Sequence, residues 1–174
     1  MKRLKLTLLA VCISIVSFGT VPSKGFDSIE SLYKESVEVI KSKDRQKIRE
    51  FIEKIIPDKG TITYMNKRKC EYRRIPRVIN QSPQLLDSVK AHYTEKLYNY
   101  SLKLERMNQL DDLKFEGFER KLMPEKLNEC GCPEILFEEI FVKCSSKEAT
   151  ISYSFGEILK VNGKWKSFTN FKLW

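Results

Sequence analysis

Residues 134–144 read Glu-Ile-Leu-Phe-Glu-Glu-Ile-Phe-Val-Lys-Cys, the first of three strand-like segments that follow one another to residue 174. Ser145–Lys147 turns the chain into Ala149–Val161, and Asn162-Gly163 turns it again into Lys164–Trp174. Asn-Gly between two alternating apolar–polar runs is a strong hairpin signal, because both central residues of a type I′ turn need φ > 0. Three such segments joined by short turns predict an antiparallel meander. One face of that meander is apolar and needs a cover, which the helical patterns upstream can supply.

Leu113–Met123 alternates loosely through Leu113, Phe115, Phe118 and Leu122, predicting one more strand, with Gly117 marking a bulge. Before it, Leu86, Val89, Tyr93, Leu97, Tyr100, Leu104 and Met107 recur at steps of three and four. That stripe predicts a helix from Pro83 to Leu110, capped by Ser82. Nearer the start, Asp27 is expected to cap a helix carrying Ile29, Leu32, Tyr33, Val37 and Ile40, with Glu30 completing a capping box. Ser42-Lys43-Asp44 interrupts the stripe, and Ser42 or Asp44 caps a second helix with Ile48, Phe51, Ile52, Ile55 and Ile56. Pro57 stops it by removing a backbone donor. Thr61–Met65 reads as a short β-prone run, and residues 66–81 read as irregular. The fold class is therefore α+β: an N-terminal helical hairpin and a third long helix packed on a curved, mostly antiparallel sheet of about four strands.

Residues 1–25 are expected to be a signal peptide. Lys2, Arg3 and Lys5 precede Leu6–Phe18, an apolar stretch without a charge that is shorter than a bilayer-spanning helix requires. The cleaved product is expected to be exported, periplasmic or extracellular, with no transmembrane segment left. Leu9-Ala10-Val11-Cys12 approximates a lipobox, but Val11 stands where Gly, Ala or Ser is needed and the apolar run continues past Cys12. A lipoprotein is the weaker reading. Residues 26–174, without repeats or a Pro/Gly-rich linker, read as a single domain. The net charge of +9 falls to +6 without the three leading basic residues, which favours anionic neighbours and names none.

The helix pair broken at Lys41-Ser42-Lys43-Asp44, the third helix and the closing meander together resemble the nuclear-transport-factor-2-like superfamily, the SnoaL-like or cystatin-like α+β cone. Gly156–Val161 and Asn162-Gly163-Lys164-Trp165-Lys166-Ser167 look like its last two strands, where an Asp/Asn-Gly-Lys-Trp unit is common. The resemblance is narrower to small exported bacterial members with no assigned activity. It implies a cone-shaped domain, and a superfamily that spans dehydratases, isomerases, cyclases and non-catalytic binders leaves the activity open.

Catalysis in such a cone would rest on a buried acid or base, and the single histidine, His92, is the one candidate, with Asp87 or Glu95 able to orient it. A half-exposed helical histidine is the plainer reading. No phosphate loop, nucleophile elbow or paired-carboxylate motif appears in the sequence. Tyr93, Tyr153, Phe155, Trp165 and Phe168 are ligand-pocket candidates, an aromatic lining with a few polar handles, or else simply core. Trp165 in particular is expected to lay its ring on the third helix. Lys67, Arg68, Lys69, Arg73, Arg74 and Arg77 form a basic loop that suits an anionic envelope component, or is a solvated charged loop. Nucleic acid is not expected, because stacked aromatic repeats are missing from that stretch.

Four cysteines follow the leader: Cys70, Cys130, Cys132 and Cys144. Cys132 and Cys144 bracket a strand that spans about 40 Å at ~3.3 Å per residue, whereas a disulfide needs Cα atoms within about 7 Å. One bridge at most is expected, joining Cys70 to one of Cys130, Cys132 or Cys144. No metal site or cofactor is expected. The function that these residues favour is a non-enzymatic exported domain binding a small apolar or amphipathic ligand or a partner protein. The alternatives are a dehydratase or isomerase with His92 as base, and an envelope-surface protein using the 67–77 loop.

Overall fold

The computed structural model describes residues 24–67, 83–122, 136–147, 149–161, 163–167 and 171–174. Among these residues four helices come first: α1 Ile29–Ser42, α2 Arg45–Ile55, α3 Lys59–Lys67 and α4 Pro83–Arg106. Six strands follow: β1 Lys114–Leu122, β2 Leu136–Ser146, β3 Ala149–Ser154, β4 Glu157–Val161, β5 Lys164–Ser167 and β6 Lys172–Leu173. The segregation of helices from strands makes the domain α+β, as the sequence predicts.

The helix pair forms where its stripes predict, with one cap displaced. Ser28, not Asp27, caps α1, its Oγ accepting from Ser31 N at 3.0 Å. Asp27 instead pairs with Lys164 at 2.5 Å, and Glu30 pairs with Lys34 one turn on. The left-handed Lys43 (φ 49°) ends α1, and Asp44 Oδ1 accepts from Gln46 N and Lys47 N to start α2. Thr61–Met65 is helical, not a strand. Asp58 Oδ1 accepts from Thr61 N at 2.7 Å, and Ile62 is buried. A side-chain cap plus one buried apolar contact outweighs the β-propensity of Thr-Ile-Thr.

Every strand pairing is antiparallel, and the six segments lie along four lines. β1 pairs with one edge of β2, and its register shifts between Phe115 and Gly117, the bulge expected at that glycine. β3 and β4 both pair with the other edge of β2. The run from Ala149 to Val161 is therefore one line broken at Phe155-Gly156, where Gly156 has φ 75° and the register against β2 slips by one residue. β5 pairs with β4 and β6 with β3, which makes the fourth line. Val161 faces Lys164 across a two-residue connection whose Gly163 has φ 76°, matching the Asn-Gly hairpin signal.

The core lies between α1, α2, α4 and the sheet. From α1 it takes Leu32, Tyr33, Val37 and Ile40, and from α2 Ile48, Phe51, Ile52 and Ile55. Leu86, Tyr93, Leu97, Tyr100 and Leu104 carry the stripe of α4, whereas Met107, counted in that stripe by spacing, lies past its end and is half exposed. Ile140, Val142 and Cys144 alternate inward along β2. Among the described residues, no helix is long and apolar enough to cross a membrane.

Candidate functional site

Aromatic rings fill the space between helices and sheet. Phe155, fully buried where β3 gives way to β4, has Tyr33 stacked at 5.8 Å, Phe51 and Tyr153 each at 5.5 Å, and Phe171 at 4.8 Å. Tyr93 of α4 stacks on Phe171 at 4.0 Å, and Tyr100 meets Tyr153 edge-on at 6.0 Å. Three pocket candidates are thus brought into one cluster of packed rings, Tyr153 directly against Phe155 and Tyr93 through Phe171. Trp165 is also buried, its backbone N–H donating to the Phe26 carbonyl at 2.8 Å and Lys160 Nζ lying 5.8 Å from its ring centre. That backbone bond bridges β5 to the segment before α1. Phe168 lies outside the described residues; Phe171, three residues on, is buried against Phe155 and Tyr93.

A small polar cluster sits inside this apolar volume. Ser36 Oγ and the Tyr153 hydroxyl are 2.6 Å apart, and Ser36 also donates to the Tyr33 carbonyl at 2.7 Å. The Tyr33 hydroxyl reaches the Ile140 carbonyl at 3.5 Å, linking α1 to β2. The Tyr100 hydroxyl, buried beside this cluster, has no hydrogen-bond partner among the described residues. Burial raises the Tyr153 and Tyr100 phenols, and the nearby Cys144 raises both further. The Cys144 thiol is itself pushed up to about 12 by burial. These three groups therefore stay neutral at ordinary pH, and none is an acid or base of catalytic strength. Cys144 is a buried free thiol, whereas Cys70, Cys130 and Cys132 lie outside the described residues. A thiol of that strength is a poor nucleophile for disulfide exchange.

His92 points away from this volume. It is exposed on α4, its ring edge-on to Tyr93 at 5.3 Å. Of its two candidate orienting carboxylates, Glu95 is held by Arg45 across the α2–α4 seam at 3.2 Å, and Asp87 is exposed. The basic loop lies outside the described residues except Lys67, the last residue of α3. Among the described residues, no three His, Cys, Asp or Glu side chains gather as a metal site.

Among the described residues, two clefts stand out on the surface. The larger, about 560 Å³, runs between α2 and α4 beneath the Arg45–Glu95 bridge, with Arg49, Asp87 and Lys90 along it. The second, about 460 Å³, lies between α1 and β1, floored by Val37, Leu113 and Phe115 and rimmed by lysines and glutamates. Sequence reasoning missed the second because its parts lie on a helix and a strand more than seventy residues apart.

One further buried group escaped the sequence reading. Lys166 is fully buried in β5, its Nζ donating to the Lys54 carbonyl at the end of α2 at 3.0 Å, with Asp58 Oδ2 at 3.8 Å. Burial pulls its ammonium down to about 8, with Lys90 and Lys24 adding to the fall and Asp58 opposing it.

Compared with protein-family models, curated proteins and solved structures, the chain matches none.

Proposed function

We propose that this chain is an exported, non-catalytic binding domain on a cone-shaped scaffold of the nuclear-transport-factor-2-like kind, meeting a small ligand or partner protein at its surface. What supports the reading is the filling of the interior. Tyr33, Tyr153 and Phe155 are completely buried, and both tyrosine rings contact the Phe155 ring, so the space where such a scaffold would hold a substrate is taken by side chains. An acid–base mechanism needs a titratable group in contact with substrate. His92, exposed on the outer side of α4, faces solvent instead. The charged leader and the uncharged Leu6–Phe18 run support export.

Xenon tests the interior, because it enters dry apolar cavities and ignores packed ones. Under xenon pressure, the ring resonances of Tyr33, Tyr153 and Phe155 are expected to stay where they are. Saturable shifts of those rings would reveal an internal chamber and overturn the surface reading. His92→Ala is expected to leave the melting midpoint unchanged, as substitutions of exposed helical residues generally do.

A further inference from the structure

We propose that the cleft between α1 and β1 binds a single-chain amphipathic monocarboxylate, its apolar body on Phe115, over the buried Val37 and Leu113, and its headgroup between Lys41 and Lys114. The inference rests on the surface-binding reading above and names the ligand class of one surface site. Phe115 is only partly buried and stands beside the β1 bulge, so its ring is the accessible part of the floor. Val37 and Leu113 lie behind it at 2 % and 1 % exposure, which makes the base of the cleft rigid as well as apolar. An apolar floor with a few polar groups at its edge is the usual construction of a small-molecule site.

The rim decides the sign of the headgroup. Lys34 is compensated by Glu30 at 2.7 Å, and Glu35 by Lys54 at 2.5 Å. That leaves Lys41, Lys114 and Glu38 on the rim without an ion pair among the described residues, an excess of one positive charge. One uncompensated ammonium beside an apolar floor matches one negative charge on an apolar tail. A dianion would be undercompensated, and a cation would meet two ammoniums for one carboxylate.

Dodecanoate, titrated into the full-length protein below its micellar concentration, is the probe. Saturable amide shifts are expected at Val37, Leu113 and Phe115, with a dissociation constant on the order of 0.1 mM, since exposed charges and a shallow floor support modest affinity. The Lys41→Gln/Lys114→Gln pair is expected to weaken binding about tenfold at an unchanged melting midpoint. Lys147→Gln, in the β2–β3 turn, should bind as the parent does, and dodecyltrimethylammonium should leave the cleft unshifted. The proposal is overturned if dodecanoate shows no saturable shifts there, if it saturates the α2–α4 cleft instead, or if the double variant binds unchanged. In those three cases the surface-binding reading survives with another site. Shifts centred on the Tyr33, Tyr153 and Phe155 rings would overturn both.

Discussion

The middle of the domain and its α2–β5 end both bury polar atoms completely, but they do so with opposite chemistry. In the middle, Ser36 and Tyr153 satisfy each other as neutral hydroxyls at 2.6 Å, within a cage of aromatic rings. At the α2–β5 end, Lys166 brings an amine into the interior, donates to the last turn of α2, and has only a carboxylate 3.8 Å away as counter-charge. Neutral hydroxyls cost little to bury once bonded, and they do not respond to pH in the physiological range. An ammonium pays desolvation that a distant carboxylate only partly offsets. The middle is therefore set by packing, whereas the α2–β5 end is set by protonation.

The largest effect that tests this contrast is Phe155→Ala. Removing the ring that touches Tyr33, Phe51, Tyr153 and Phe171 should cost about 3–5 kcal/mol in urea denaturation, at any pH between 6 and 9. A cost below ~1 kcal/mol would mean that the cage is loose and the interior available to a ligand.

The second effect belongs to Lys166. Its ammonium titrates at about 8 in the folded state against 10.5 in an unfolded chain, so between those values the unfolded state holds the extra proton. Stability therefore rises as pH climbs through that window, by about 2 kcal/mol between pH 7.5 and 9.5. Above pH ~10 the trend reverses, because Tyr93, Tyr100 and Tyr153, whose phenols are raised by burial, then hold protons that the unfolded chain has lost. Lys166→Met should flatten the rise between pH 7.5 and 9.5 and leave the reversal intact. A parent protein with level stability across that interval would show that the amine is hydrated, and the contrast between the two regions would fail.

The smallest effect is Ser36→Ala, which removes the Ser36 partner of the buried Tyr153 hydroxyl and leaves it only the Cys144 thiol, a weak hydrogen-bonding group. It should cost ~1–2 kcal/mol, with the same value at pH 7 and pH 9. A pH-dependent cost would show that the middle also titrates and would sharpen the comparison in an unexpected direction.

Local periodicity carried most of the fold. The stripes of α1, α2 and α4 and the alternation of β2 were legible because side chains three, four or two residues apart share a face whatever lies opposite. Asn162-Gly163 and Gly117 were legible because glycine marks backbone that other residues avoid. The helix over 59–67 was not, since Thr61-Ile62-Thr63 favours a strand locally, and only the Asp58 cap and the burial of Ile62 decide otherwise. The break at Phe155-Gly156 was equally hidden, because it exists only as a slip against β2.

The candidate site divides along the same boundary. The sequence by itself determined which residues are aromatic, that the lone histidine sits beside a helix stripe, and that the segment after Ser28 alternates between core and solvent. Whether the aromatics would line a chamber or fill one depended on how closely α1, α4 and the sheet approach, a distance that no periodicity encodes. Tertiary structure alone closed the Tyr33–Phe155–Phe171 ring contacts, buried Lys166 under α2, and brought Lys41 and Lys114 to one cleft. Each of those outcomes joins residues far apart in the chain, and burial and charge are properties of the neighbours a residue acquires when the elements dock.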